Sequence, residues 1–184
     1  AAFEVPGKGT ETFEVSAPVN GEEGTIKGLE VGLQSFFDFL PAPFDGLGLQ
    51  ANYTFVDSEA PSPSATDSEG NALLVPLEGL SENSYNLVGL YEKGGFSARL
   101  AYNWRDDWVI TTAGNGTGNL PIYNDAYGQL DASISYDFSE IWSVSIDAVN
   151  VLDENNFTYQ AYPNRPRDYV LNDRRFGVRL RANF

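Results

Sequence analysis

Apolar and polar residues alternate along most of this chain with a period of two, the spacing at which side chains reach opposite faces of an extended strand. The pattern is clearest from Leu47 to Val56, where Leu47, Leu49, Ala51, Tyr53 and Phe55 oppose Gly48, Gln50, Asn52 and Thr54. It recurs over Phe96–Arg105, where Phe96, Ala98, Leu100, Tyr102 and Trp104 oppose Ser97, Arg99, Asn103 and Arg105. Thr25–Phe36, Leu130–Phe138 and Trp142–Ala148 repeat it, and so do the last residues, where Phe176, Val178, Leu180, Ala182 and Phe184 share a face. Asn83–Glu92 is less clean, because Val88 and Leu90 fall on the polar side, and Thr10–Ala17 is weak, with Phe13, Val15 and Ala17 aligned. That makes eight candidate strands and no sustained stripe of helical period, so the expected class is all-β and antiparallel.

Each segment approaches the ~9–11 residues with which a tilted strand crosses a bilayer. Connections alternate in length. Lys93-Gly94-Gly95 and the stretch around Ser139-Glu140 are tight turns, and Asp38–Gly46 is compact, with Pro41, Pro43 and Gly46 as breakers. Between them lie long polar stretches, Asp57–Ser81, Asp106–Ala126 and Asp153–Asp168, while Val19–Gly24 is short. Short turns on one side and long loops on the other are the pattern of an outer-membrane barrel, with one face in lipid and the other in a polar lumen. Strand directions assigned on that basis place Tyr91, Phe96, Phe138, Trp142 and Phe184 at the periplasmic rim. They place Tyr53, Phe55, Tyr85, Tyr102 and Trp104 at the outer rim. Rings with a polar edge collect at the two interfaces of a membrane, whereas a soluble sandwich has no reason to ring both ends of its outward face.

Composition narrows the chemistry. With 26 acidic and 11 basic residues the net charge is −15, which argues against nucleic acid as a partner. Six of the eleven basic residues lie in the last twenty positions, Arg165 to Arg181. Cysteine and histidine are absent, so disulfides, thiolate metal sites and the usual catalytic triads are excluded, and no enzymatic constellation stands out. No cofactor and no metal site are expected: Asp57, Glu59, Asp67 and Glu69 match no calcium loop and read as a solvated acidic stretch. Methionine is also absent, so Ala1 is expected to be a processing or cleavage boundary.

The stretches PVNGEEGTIKGLEVGLQ, LPAPFDGLGLQANYTFVDSEA and SVSIDAVNVLDENNFTY, with the arginine-rich final strand, resemble the late barrel strands of TonB-dependent outer-membrane receptors. Gly177, Leu180, Ala182 and Phe184 resemble the C-terminal assembly signal of bacterial outer-membrane barrels, with Ala182 smaller than is usual there. The resemblance implies a barrel of about 22 strands around a plug, of which residues 1–184 would be the closing part, about eight antiparallel transmembrane strands. It further implies a Gram-negative outer membrane and import of a scarce or large solute of the siderophore, cobalamin or oligosaccharide class. The partners implied are outer-membrane lipid and lipopolysaccharide, the remaining barrel, the plug, and TonB acting through a box on that plug. Neither plug nor TonB box is found in this sequence. The alternatives are a self-contained eight-stranded outer-membrane barrel and a soluble β-sandwich that binds sugar.

Trp108, Tyr123, Tyr127, Phe157, Tyr159 and Tyr162 lie in the outer loops among amides, as solute-facing platforms or as rings that pack the loops together. Arg165, Arg167 and Arg174, near the outer rim, suit lipopolysaccharide phosphates or the acidic loops. Arg99, Arg105, Arg175, Arg179 and Arg181 are expected to pair across strands with Glu30, Asp131, Asp137 and Asp147, or to meet the plug. Lumen-side Gly28, Gly32, Gly48 and Gly177 relieve crowding or leave room for a plug or solute.

Overall fold

A computed structural model describes residues 2–5, 9–12, 23–66, 68–114, 116 and 120–183. Its strands are β1 (Ala2–Val5), β2 (Gly9–Thr12), β3 (Thr25–Phe36), β4 (Leu47–Thr66), β5 (Ala72–Val75), β6 (Asn83–Lys93) and β7 (Phe96–Arg105). They continue as β8 (Trp108–Thr111), β9 (Ile122–Asn124), β10 (Tyr127–Asp137), β11 (Trp142–Val149), β12 (Asn156–Gln160), β13 (Pro166–Val170) and β14 (Arg175–Ala182). Every pairing is antiparallel.

The main sheet runs β14-β11-β10-β7-β6-β4-β3, with β5 added to the far end of β4. Seven of the eight segments read from the alternation are its strands. The weak segment Thr10–Ala17 lies mostly outside the described residues, as do Phe13, Val15, Ala17 and the final Phe184. The order is a meander in which each long strand pairs with the next one along the chain. β3 and β14 are its two edges and do not pair with each other, so the described strands form an open wall, not a closed small barrel.

The register shows why these strands sit as they do. Val31, Tyr53, Tyr85 and Trp104 stand opposite one another in one row and Leu100, Ala132, Ala148 and Phe176 in a second, and the two rows share a side because Leu100 and Trp104 lie four residues apart on β7, with Leu29 two residues from Val31 on β3. A slip of one residue would reverse a whole strand. This apolar side is bare: Val178 is 77 % exposed and Leu29 61 %, while on the polar side Val88 and Ala101 are 7 % and 1 % exposed. A water-soluble sheet would show the reverse. Val88 and Leu90, which interrupt the alternation, remain on the polar side, opposite Gln50 and Gly48. Leu90 occupies space that Gly48 leaves open, its Cβ lying 3.5 Å from the place a Gly48 side chain would begin.

The aromatic rims form as expected. Tyr53, Tyr85 and Trp104 are opposed in one row, Tyr85 and Trp104 stacking with centroids 5.1 Å apart, and Tyr91 and Phe96 meet at 5.8 Å on the other rim. Gly128 completes the first row, opposite Trp104. A Cβ there would lie 2.3 Å from the Tyr102 hydroxyl and 3.0 Å from the Trp104 ring, so a side chain at this position would displace one ring or both. The compact turn before β4 contains a 3₁₀ turn, Phe44–Gly46, and Asp45 in it pairs with Lys93 at the end of β6.

The expectation of long irregular outer loops is corrected. β4 has 20 residues, about twice what a bilayer crossing needs, and its upper part pairs with β5. The two later loops fold into a second sheet, β13-β12-β9-β8. WVIT, IYN, NFTYQ and PRDYV are rich in β-branched and aromatic residues, which favour strands, but runs of three to five residues are too short to display an alternation.

Candidate functional site: the outer mouth of the wall

Where the main sheet meets the loops, its polar side holds a cavity of about 540 Å³. Thr54, Ser84, Asn86, Asn103, Tyr127 and Gln129 line it from four adjacent strands, and Gly79-Leu80-Ser81 roofs it. The roof is held by several ties, among them the Ser81 hydroxyl, which donates to the Asp106 carbonyl at 2.7 Å. Gly79 N–H donates to the Val109 carbonyl at 2.8 Å. The Glu78 carboxylate accepts from the Thr112 N–H at 2.7 Å and from its hydroxyl at 3.1 Å. Arg105 donates through Nε to Ser81 Oγ and through its terminal nitrogen to the Gly79 carbonyl, both at 2.8 Å, with its guanidinium carbon 3.8 Å from the centre of the Trp108 ring. Arg105 thus clamps a loop instead of pairing with a lumen acid, and it covers one face of Trp108.

Above the cavity, the second sheet packs on Val109, Ile122 and Tyr159, all buried. Tyr159 is the hub. Its ring stacks on Tyr123 at 5.3 Å and 10°, Phe157 lies at 6.3 Å, and its hydroxyl donates to Asp107 at 3.0 Å. Burial raises the Tyr159 hydroxyl well above its ordinary 10.0, and the hydrogen bond and charge of Asp107 add to that. Burial likewise raises the Asp107 carboxyl, partly opposed by the hydrogen bond from Tyr159. Of the six loop aromatics, Tyr123, Phe157 and Tyr159 therefore contact one another. Tyr127 lines the cavity and Tyr162 is 62 % exposed.

The arginines divide differently from expectation. Among the described residues the ion pairs are Lys93–Asp45, Arg167–Asp168 at 3.4 Å and Arg174–Asp153 at 3.3 Å. None crosses the lumen side, so the expected cross-strand pairs of Arg99, Arg105, Arg175, Arg179 and Arg181 are not formed. The register supplies the reason. Ser133 stands opposite both Arg99 and Asp147, Arg179 faces Ser145, Arg181 faces Ser143 and Arg175 faces Val149, so no arginine is directly opposite a carboxylate. Asp131 accepts instead from Gln129 Nε2 at 2.9 Å and the Asn150 N–H at 3.0 Å. Arg165 lies 5.7 Å from the Tyr162 ring. Of the lumen glycines, Gly28 and Gly48 are close contacts, since a Cβ would fall 2.8 Å from the Phe55 carbonyl and 2.9 Å from Phe36, whereas Gly177 faces open space.

Asn150, which the alternation gave no reason to single out, ties the top of β11 together. It is buried, has φ +56°, donates to the carbonyls of Glu154 and Asn172, and accepts from the Glu154 N–H. Asparagine tolerates that left-handed conformation and can cap its own turn, so the sequence Asn150-Val151-Leu152-Asp153 carried the signal.

A sheet with an apolar outer face, aromatic rims and a polar inner side is a piece of transmembrane barrel wall. Residues 3–151 match the model of the family described as TonB dependent receptor-like, beta-barrel, and the chain belongs to that family. Its members are receptor and transporter barrels of the bacterial outer membrane, working with a plug and with TonB. No curated protein and no solved structure matches the chain.

Proposed function

We propose that this chain forms the closing wall of a TonB-dependent outer-membrane importer of a scarce or large solute, of the siderophore, cobalamin or oligosaccharide class. The carrying observation is the uninterrupted register from β3 to β14, which gives one lipid side and one lumen side across the whole wall. β14 is the closing strand, with Gly177, Leu180, Ala182 and Phe184 as the assembly signal read in the periplasm. The cavity under Gly79–Ser81, with Tyr127 on its wall and Trp108 and Tyr162 above, is where an arriving solute meets the wall, and Tyr123, Phe157 and Tyr159 give the loops their shape. Arg165, Arg167 and Arg174 lie at the height of lipopolysaccharide phosphates; two of them already have exposed acidic neighbours, pairs weak enough to exchange for a phosphate.

Native and denaturing mass spectrometry of the detergent-solubilised particle tests the assembly. The chain is expected either within a longer polypeptide or with a partner that completes barrel and plug. A lone 20.2 kDa species in detergent would overturn it. Transport is tested by uptake into cells with and without TonB, and uptake that ignores TonB would remove the importer reading.

A further inference from the structure

Four carboxamides stand in a single row across the lumen side. Asn52 is opposite Asn86, Asn86 opposite Asn103, and Asn103 opposite Gln129, on β4, β6, β7 and β10. The row covers three interstrand spacings of about 4.8 Å each, a length suited to a short linear chain of rings. Three of the four, Asn86, Asn103 and Gln129, line the cavity beneath Gly79–Ser81. The side chains of Asn52, Asn86 and Asn103 make no hydrogen bond to other described residues, while the Gln129 side chain donates to Asp131 and accepts from the Tyr127 hydroxyl. Thr54 and Ser84 add hydroxyls two residues above the row, the next position on the same face.

Among the described residues the cavity is lined by polar groups and a single charged side chain, Arg105, whose guanidinium Ser81, Gly79 and Trp108 occupy. An anionic solute would be held by cations without an acidic partner, and among the described residues of the lumen side those lie elsewhere: Arg99 two rows below the carboxamides, and Arg175, Arg179 and Arg181 on β14, where Arg181 Nε donates to Asn183 Oδ1 at 3.1 Å. A carboxamide offers a donor and an acceptor side by side. That arrangement matches a pair of neighbouring hydroxyl groups, in which one can donate while the other accepts.

We propose that the Asn52–Asn86–Asn103–Gln129 row and its Gly79–Ser81 roof bind a neutral, polyhydroxylated solute, a short oligosaccharide, as it enters the lumen. The proposal rests on the importer reading above and selects one solute class from it. Arg105 is a positioning residue: it holds the roof at its height above the row and need not touch the solute.

The test uses the complete receptor that contains this chain, purified in detergent and titrated by calorimetry. The neutral probes are hexamers of α-1,4-glucose, β-1,4-glucose, β-1,4-xylose and β-1,4-mannose. The anionic probes are an alginate hexamer and ferric enterobactin. At least one neutral hexamer is expected to bind. Asn86→Ala with Asn103→Ala should then weaken it about tenfold or more, as the loss of several hydrogen bonds would, whereas Arg99→Ala should leave it within about twofold. Folding of each variant is checked by its heat-dependent mobility on gels. If the double variant does not fold, Asn103→Asp, which keeps size and adds charge, should show the same loss. Failure of every neutral hexamer to bind overturns the proposal, and so does binding that these substitutions leave unchanged. Uptake separates the two readings. TonB-dependent uptake of an anionic probe alone removes the neutral site and keeps the importer, while neutral binding without TonB-dependent uptake does the opposite.

Discussion

The membrane wall and the outer sheet are both antiparallel, and they are packed by opposite rules. In the wall, the apolar side chains are the exposed ones and the buried Val88 and Ala101 sit among polar neighbours. In the outer sheet, Tyr123 and Phe157 pack on Tyr159, which is 6 % exposed. The difference lies in the solvent, not in the strand: the same alternation that would make a sandwich core here faces lipid, while a few residues above it water restores the ordinary arrangement. Burial alone therefore misreads the wall, and register alone misreads the outer sheet.

Four changes would break or sharpen that contrast. The largest effect is expected from Tyr159→Ala, which removes the hub of the stack and leaves Asp107 without its donor. Loss of a buried aromatic side chain costs about 3–5 kcal/mol, and the loss should stay in the outer sheet. Hydrogen exchange should show β8, β9, β12 and β13 unprotected with the wall intact; exposure of β7 and β10 as well would mean that the two sheets fold as one unit. Next comes Leu100→Arg, in the middle of β7 on the bare side. A cation near the bilayer midplane costs about 2–4 kcal/mol, seen as a shifted unfolding midpoint in vesicles. Ser133→Arg, across the wall, should be nearly neutral, and equal effects would erase the distinction between the sides.

Gly128→Ala is expected to cost about 1–3 kcal/mol through overpacking, because its new carbon meets Tyr102 and Trp104. Adding Tyr102→Phe removes the nearest atom and should recover part of the loss. The smallest effect is alkaline. Tyr159 ionises only above its ordinary 10.0 in the folded sheet, so the unfolded chain loses that proton first. The stabilisation is complete below pH 10.0 and is lost as pH rises beyond it. Absorbance at the phenolate band should lag behind that of free tyrosine, and Tyr159→Phe should shrink the lag, leaving the part due to other buried tyrosines, Tyr123 among them.

How far the sequence foretold this follows from the same contrast. Period-two alternation needs eight or more residues to stand out, and β3, β7 and β14 provide them, so their ends could be read almost to the residue. β8, β9, β12 and β13 have five residues or fewer and looked like polar loop. The carboxamide row escaped for another reason. Asn52, Asn86, Asn103 and Gln129 are widely separated along the chain and meet only when three registers are fixed together. Arg105 was placed on its correct side, but its partners sit on a loop whose height no alternation records. The expected charge pairs failed because alternation gives the side of a strand and not the level along it, and at the level of Arg99 and Asp147 the residue between them is Ser133.

The link between β9 and β12 has a mechanical consequence. Asn124, Tyr123 and Ile122 pair with Thr158, Tyr159 and Gln160, so two loops that leave the wall at different strands share one ladder. Displacing either alone would shear that ladder and part the Tyr123–Tyr159 stack. The two loops are therefore coupled mechanically, so that a load placed on one is carried in part by the other.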